Sequence, residues 1–84
     1  KTVLFFHADW CPSCRSADSD ITANQGDIPA GLTVQKVDYD SETELRQKFG
    51  VTTQHTFVEI DGEGELVKKW SGSATLDDIL AQVS

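Results

Sequence analysis

The feature that most constrains this chain is a Cys-X-X-Cys placed where a buried strand hands over to a helix, Ala8-Asp9-Trp10-Cys11-Pro12-Ser13-Cys14. The run before it, Thr2-Val3-Leu4-Phe5-Phe6-His7, is almost continuously apolar and rich in β-branched and aromatic residues. At this length such a run reads as a strand buried on both faces. Pro12 stands at the first helical position, where its missing N–H has no intrahelical acceptor to lose. Cys11 then occupies the helix N-terminus, where free backbone N–H groups and the positive end of the helix dipole favour a thiolate. Its pKa is expected below the free-thiol value of about 8.5, with the sulfur exposed. Cys14, one turn on, is expected to be shielded by the helix yet close enough to form a disulfide with Cys11.

At 84 residues the chain is expected to form a single domain spanning 1–84. A domain this small buries only about 60% of the surface its unfolded chain exposes, which leaves little room for a large ligand cavity. Seven basic and fourteen acidic residues give a net charge of −7, which argues against nucleic acid or an anionic membrane surface as partner. Two cysteines so close in sequence close a loop too small to stabilise much by chain entropy, so their use is expected to be chemical. No run approaches the roughly 18 apolar residues of a membrane span. The chain has no methionine, which suggests a processed or trimmed piece and leaves room for an export signal or anchor removed from it.

After the cysteines, Cys14, Ala17 and Ile21 form a thin apolar stripe, predicting a short amphipathic helix that stops near Asn24-Gln25-Gly26. Leu32–Asp38 alternates as a second strand, parallel to the first through a right-handed crossover. Ser41 with Glu44 offers a capping box for a helix running through Leu45 and Phe49 to Gly50. Thr56–Asp61 and Glu65–Trp70 flank Gly62-Glu63-Gly64, a hairpin signal, and Thr75–Val83 closes the chain as a helix with a threonine cap. The order βαβαββα predicts an α/β fold, a four-stranded mixed sheet with helices on both faces and its chemistry at the end of the first strand.

These residues resemble the thioredoxin family. Phe6, Ala8, Trp10, Cys11 and Cys14 match its Phe-X-Ala-X-Trp-Cys-X-X-Cys spacing, Gly50-Val51 with Thr56-Phe57-Val58 resembles the segment around its cis-proline, and the hairpin and Gly72 fit. The match spans nearly the whole chain, without the strand and helix that open standard thioredoxins. The resemblance implies a thioredoxin-like fold and a thiol–disulfide oxidoreductase in which Cys11 attacks a substrate disulfide and Cys14 resolves the mixed disulfide. Expected partners are a protein disulfide or dithiol and an upstream redox partner, with no cofactor and a monomeric domain. Asp9 before Trp10 is similar to extracytoplasmic members, which favours a periplasmic or membrane-anchored setting over the cytoplasm. There are two departures. Phe5 stands where the family keeps a buried aspartate thought to move the proton of the second cysteine, and His55 stands at the cis-proline position. A cis bond before a non-proline residue costs about 2.5–4 kcal/mol, so the Gln54–His55 bond is expected to be trans, with the loop still facing Cys11.

Several side chains around this frame are candidates for binding or tuning. Trp10 reads as docking surface, and Pro12 and Ser13 as setting the helix start and local redox poise. Gln54, His55 and Thr56 read as the loop beside the dithiol. An imidazole there can stabilise a thiolate when protonated or bind metal when neutral. Glu59 lies inside a strand expected to be central, where a carboxylate is costly unless paired. Lys36 is its expected partner, and the competing reading makes Glu59 a substitute acid near Cys14. His7 is expected to be structural, and Asp18, Asp20, Asp27, Asp77 and Asp78 a solvated face. Two alternatives to the enzyme remain. One is a metal- or cluster-binding domain using Cys11, Cys14 and His55, with His7 as fourth ligand. The other is a docking module without turnover.

Overall fold

The computed structural model describes residues 1–83. Strand β1 (Thr2–His7) leads into helix α1 (Pro12–Ala23) and a 3₁₀ turn (Gln25–Asp27). Then come β2 (Thr33–Asp38), α2 (Thr43–Phe49), β3 (Thr56–Ile60), β4 (Leu66–Ser71) and α3 (Leu76–Gln82). The sheet order is β2-β1-β3-β4. β1 runs parallel to β2 and antiparallel to β3, and β4 closes the β3 hairpin. This is the mixed sheet that the βαβαββα order predicts.

The uninterrupted apolar run of β1 follows from its central place. Successive side chains of a strand point to opposite faces, and both faces here are covered. Val3 and Phe5 pack with Phe57, with Cys14, Ala17 and Ile21 of α1, and with Leu76 and Ile79 of α3. Leu4 and Phe6 pack with Val37, Phe49, Val51 and Val58 beneath α2. On the first face the rings of Phe5 and Phe57 stack at 4.7 Å, and Trp70 continues the stack at 5.7 Å from Phe57.

Three local expectations are corrected. The Ser41 capping box is not used, because Asp38 accepts the backbone N–H of Asp40 through its side chain (3.0 Å) and that of Glu42 through its carbonyl (3.0 Å). That turn carries the chain past Ser41, so α2 starts at Thr43 with no side-chain cap and ends, as expected, on Gly50 at φ +66°. In the hairpin Gly64 alone takes positive φ (+81°). The turn is held by Asp61, whose carboxylate accepts N–H groups of Glu63 (2.8 Å) and Glu65 (3.0 Å). The Glu65 and Glu63 amides keep that carboxyl below the usual carboxylate range. Of the acidic residues expected on a solvated face, Asp27, Asp77 and Asp78 are exposed, whereas Asp18 and Asp20 are half-buried. Asp20 of α1 accepts the Leu76 N–H (2.8 Å) and Thr75 accepts that of Asp78 (3.1 Å), so a cap from another helix supports the seven-residue α3.

Candidate active site

The turn from β1 into α1 builds the dithiol. The Cys11 N–H donates to the Ala8 carbonyl (3.1 Å), which folds the Asp9-Trp10 corner outward and turns Cys11 inward. From the N-cap position the Cys11 sulfur accepts the Cys14 N–H at 3.2 Å, while Pro12 takes the first helical place. The sulfur thus fills a role usually given to a serine or aspartate oxygen. This corrects the expected exposure: the capping geometry draws Cys11 in until it is only 2% accessible, and Cys14 is fully enclosed.

The two thiols sit in opposed environments. Burial disfavours a thiolate at Cys11, but hydrogen bonds from the Cys14 and Ser13 side chains, the Cys14 N–H and the Gln54 side chain outweigh it and lower the pKa. Burial, followed by the hydrogen bond that Cys14 gives to Cys11, pushes Cys14 up to about 11. One group is poised to ionise and its neighbour holds its proton, the arrangement thiol–disulfide exchange requires.

His55 faces Cys11 as expected. No cis peptide bond occurs among the described residues, and His55 is their one non-glycine residue at positive φ (+60°). Its backbone is pinned by its N–H to the Phe6 carbonyl (2.9 Å) and by the Gly72 N–H to its own carbonyl (3.3 Å). Its ring is nearly buried, with Nδ1 2.9 Å from Ser13 Oγ and Nε2 2.7 Å from the Ser73 carbonyl. Ser13 Oγ lies 3.3 Å from Cys11 Sγ. The Gln54 side chain adds the smallest of the influences that lower Cys11. Thr56 turns away, donating its hydroxyl to the Thr53 carbonyl (2.8 Å) to close the loop. Trp10 is 56% exposed, with its indole N–H donating to Asp40 at 2.8 Å.

The remaining candidates lie apart from this group. Glu59 is fully buried, opposite Val3 and Lys68, one pleat repeat further along the sheet than Phe5 and Phe57. The groups that shift Cys14 are Cys11, Ala8 and His55, and Glu59 is not among them. Lys36, the expected partner of Glu59, makes its ion pair with Asp18 (3.3 Å). His7 is buried, its Nδ1 3.7 Å from the Asp9 carboxylate. Cys11, Cys14 and His55 bring their ligating atoms within 4.8 Å of one another, and His7 does not join them. A closed structural zinc site takes four ligands. Three converge here among the described residues, and both His55 ring nitrogens already have hydrogen-bond partners.

Ser73 was not legible in the sequence. Its carbonyl orients His55, and its hydroxyl accepts the Trp70 indole N–H (2.9 Å). The nearest signal is Gly72, whose φ of +89° turns the chain after β4 toward the site.

Fold and site together define an α/β domain carrying a vicinal dithiol at a strand–helix junction. The chain belongs to the thioredoxin family, whose model matches residues 1–84. It is 33% identical over 81 residues to thioredoxin H4 of Arabidopsis thaliana, covering 96% of this chain and 66% of that protein. It is 34% identical over 80 residues to mouse thioredoxin-related transmembrane protein 4, covering 92% of this chain and 23% of that protein. Against thioredoxin-1 of Drosophila yakuba the identity is 32% over 56 residues, and the chain spans about half (52%) of that relative's length. Among solved structures, Malassezia sympodialis thioredoxin superposes with TM-score 0.76 at 28% identity, covering 95% of this chain and 70% of that one. Schistosoma mansoni thioredoxin gives TM-score 0.75 at 28% identity, with 95% and 72% covered. The family and fold support thiol–disulfide oxidoreductase chemistry in general. No helix among the described residues is long and apolar enough to cross a membrane.

Proposed function

We propose that this domain exchanges electrons with protein disulfides through Cys11 and Cys14. The observation that carries this reading is the opposed pull on the two thiols, lowering Cys11 and pushing Cys14 up to about 11. The Cys11 thiolate attacks one sulfur of a substrate disulfide, forming a Cys11–substrate bond and releasing the other sulfur as a thiolate. Cys14 then loses its proton and attacks the Cys11 sulfur. The second substrate thiol leaves, two electrons have passed to the substrate, and Cys11–Cys14 is left as a disulfide. An upstream dithiol partner restores the reduced pair by the same steps in reverse.

The exposed Trp10 ring, fixed by Asp40, offers an apolar docking face beside the nucleophile. The net charge of −7 favours protein over nucleic acid as partner. The Ala8-Asp9-Trp10-Cys11 sequence favours an extracytoplasmic setting, in keeping with a transmembrane protein among the relatives. Reduction of insulin disulfides, driven by dithiothreitol, tests the reading. The domain should accelerate it, and Cys11→Ser should lower the rate by at least about 1,000-fold, as loss of a nucleophile does. Equal rates for the two proteins would overturn the assignment.

A further inference from the structure

Cys11, Ser13, His55 and Ser73 lie in one unbroken line of hydrogen bonds. Cys11 Sγ is 3.3 Å from Ser13 Oγ, Ser13 Oγ is 2.9 Å from His55 Nδ1, and His55 Nε2 is 2.7 Å from the Ser73 carbonyl oxygen. A carbonyl can only accept, so Nε2 carries a proton and the neutral ring presents its Nδ1 lone pair to Ser13. The serine hydroxyl has one proton to give and lone pairs to receive another, so it can bridge the thiol and the ring in either direction.

From this geometry we propose that Ser13 is a proton relay carrying the Cys11 proton to His55. This rests on Cys11 being the nucleophile. In the resting thiol state Cys11 S–H donates to Ser13 Oγ, and Ser13 O–H donates to His55 Nδ1. Activation shifts two protons along the line: the Cys11 proton moves to Ser13 Oγ as the Ser13 proton moves to Nδ1. The products are a Cys11 thiolate and a His55 imidazolium, with no proton gained or lost overall. Both hydrogen bonds reverse direction and both survive, while Nε2–H stays on the Ser73 carbonyl throughout. The imidazolium then stands one hydroxyl from the thiolate it helps to stabilise.

A second observation is independent of the hydrogen bonds. His55 holds φ +60°, a left-handed conformation that is strained for a non-glycine residue. Strain of this kind persists where surrounding structure over-determines it, and it clusters at functional sites. Here the Phe6 carbonyl and the Gly72 N–H fix the backbone, and Trp70 holds Ser73. Several elements face the ring. From α1 and its N-cap come Ser13 and the thiols of Cys14 and Cys11, the two sulfurs within 4.8 Å of a ring nitrogen. From β1 and β3 come the rings of Phe5 (5.9 Å) and Phe57 (5.6 Å), and Ser73 faces it from beyond β4. His7 is turned to Asp9, and Glu59 lies further along β3.

The test is a double-mutant cycle read without any disulfide substrate, as the pH profile of iodoacetamide alkylation of Cys11 in the reduced protein. Ser13→Ala places a good helix former at an exposed first-turn position. His55→Asn keeps a residue type that tolerates left-handed backbone but supplies no base. Each single variant should slow alkylation at pH 7 about tenfold and move the profile to higher pH. The double variant should be no slower than either single one, because both cut the same line, and Ser13→Thr should restore the native profile. His55 ring nitrogen signals in NMR should change when Cys11 is alkylated in the native protein, and should lose that response in Ser13→Ala. An unchanged profile in Ser13→Ala, or single effects that multiply in the double variant, would overturn the relay. Loss of insulin reduction with the relay signatures intact would instead count against the proposed function alone.

Discussion

Cys14→Ser is expected to halt the domain midway through its reaction, as a stable mixed disulfide between Cys11 and its substrate. Serine nearly matches cysteine in shape and keeps the backbone N–H that the Cys11 sulfur accepts at 3.2 Å, so the first attack proceeds. What is lost is the second nucleophile, held beside the first. Intramolecular partners act with effective molarities of about 10⁵ M or more when well oriented. External thiol at millimolar concentration is a poor substitute. Resolution of the adduct should slow by at least about 1,000-fold, and the adduct should survive acid quenching and run as a larger species on non-reducing gels. Mass spectrometry of the adduct should find Cys11 in it. An adduct that resolves as fast as in the native protein would show that Cys14 is not the resolving group.

Phe5→Ala is expected to have the largest effect on stability. The Phe5 ring is 1% accessible, stacks on Phe57 at 4.7 Å, and lies beneath both His7 (5.5 Å) and His55 (5.9 Å). Emptying such a position costs about 3–5 kcal/mol in lost burial and residual cavity. Domains of this kind carry about 5–15 kcal/mol in total. In a domain this small, each kilocalorie lowers the melting temperature by about 4–8 °C. Thermal unfolding of the reduced variant should therefore fall by at least about 12 °C, whereas a drop of only a few degrees would show that the two aromatic layers repack around the loss. Phe5 takes the place of the acid that the family resemblance leads one to expect. Here the slot contributes packing, and the ionisable group nearest the thiols comes from the loop before β3.

Most of the architecture was written in local pattern. Strand β1 was legible because burial on both faces demands an uninterrupted apolar run, and α1 because Pro12, the cysteines and a three-residue stripe agree on one start and one face. The hairpin was legible from two strand runs around a glycine-rich turn, and the α2 stop from Gly50. Capping was less so. Asp38, Asp61 and Asp20 act through side-chain bonds to backbone that compete with the expected signals, and in the case of Asp20 the acceptor and its helix are 56 residues apart. The site divides the same way. Cys11 and Cys14 declare themselves by spacing, and His55 by its place in the family pattern. Ser13 was marked by its place between the cysteines, but its bond to His55, 42 residues away, was not, and neither was Ser73, 18 residues from the ring, because only the sheet brings them together. The exposure expected of Cys11 failed because its sulfur serves as the helix cap, an uncommon role for cysteine that propensity does not forecast.

The central claim is that one thiol of the pair is activated while its neighbour keeps its proton. Brief iodoacetamide pulses on the reduced native protein across a pH series, with the modified residue identified by mass spectrometry, test it most directly. Only the thiolate reacts, so each residue is labelled as the pH rises through its own pKa. Cys11, lowered by its hydrogen bonds, should label with a midpoint below the ordinary thiol value of about 8.5. Cys14 should stay unlabelled until the pH approaches its raised value of about 11. Labelling of Cys14 first, or of both residues with one shared midpoint, would contradict the account.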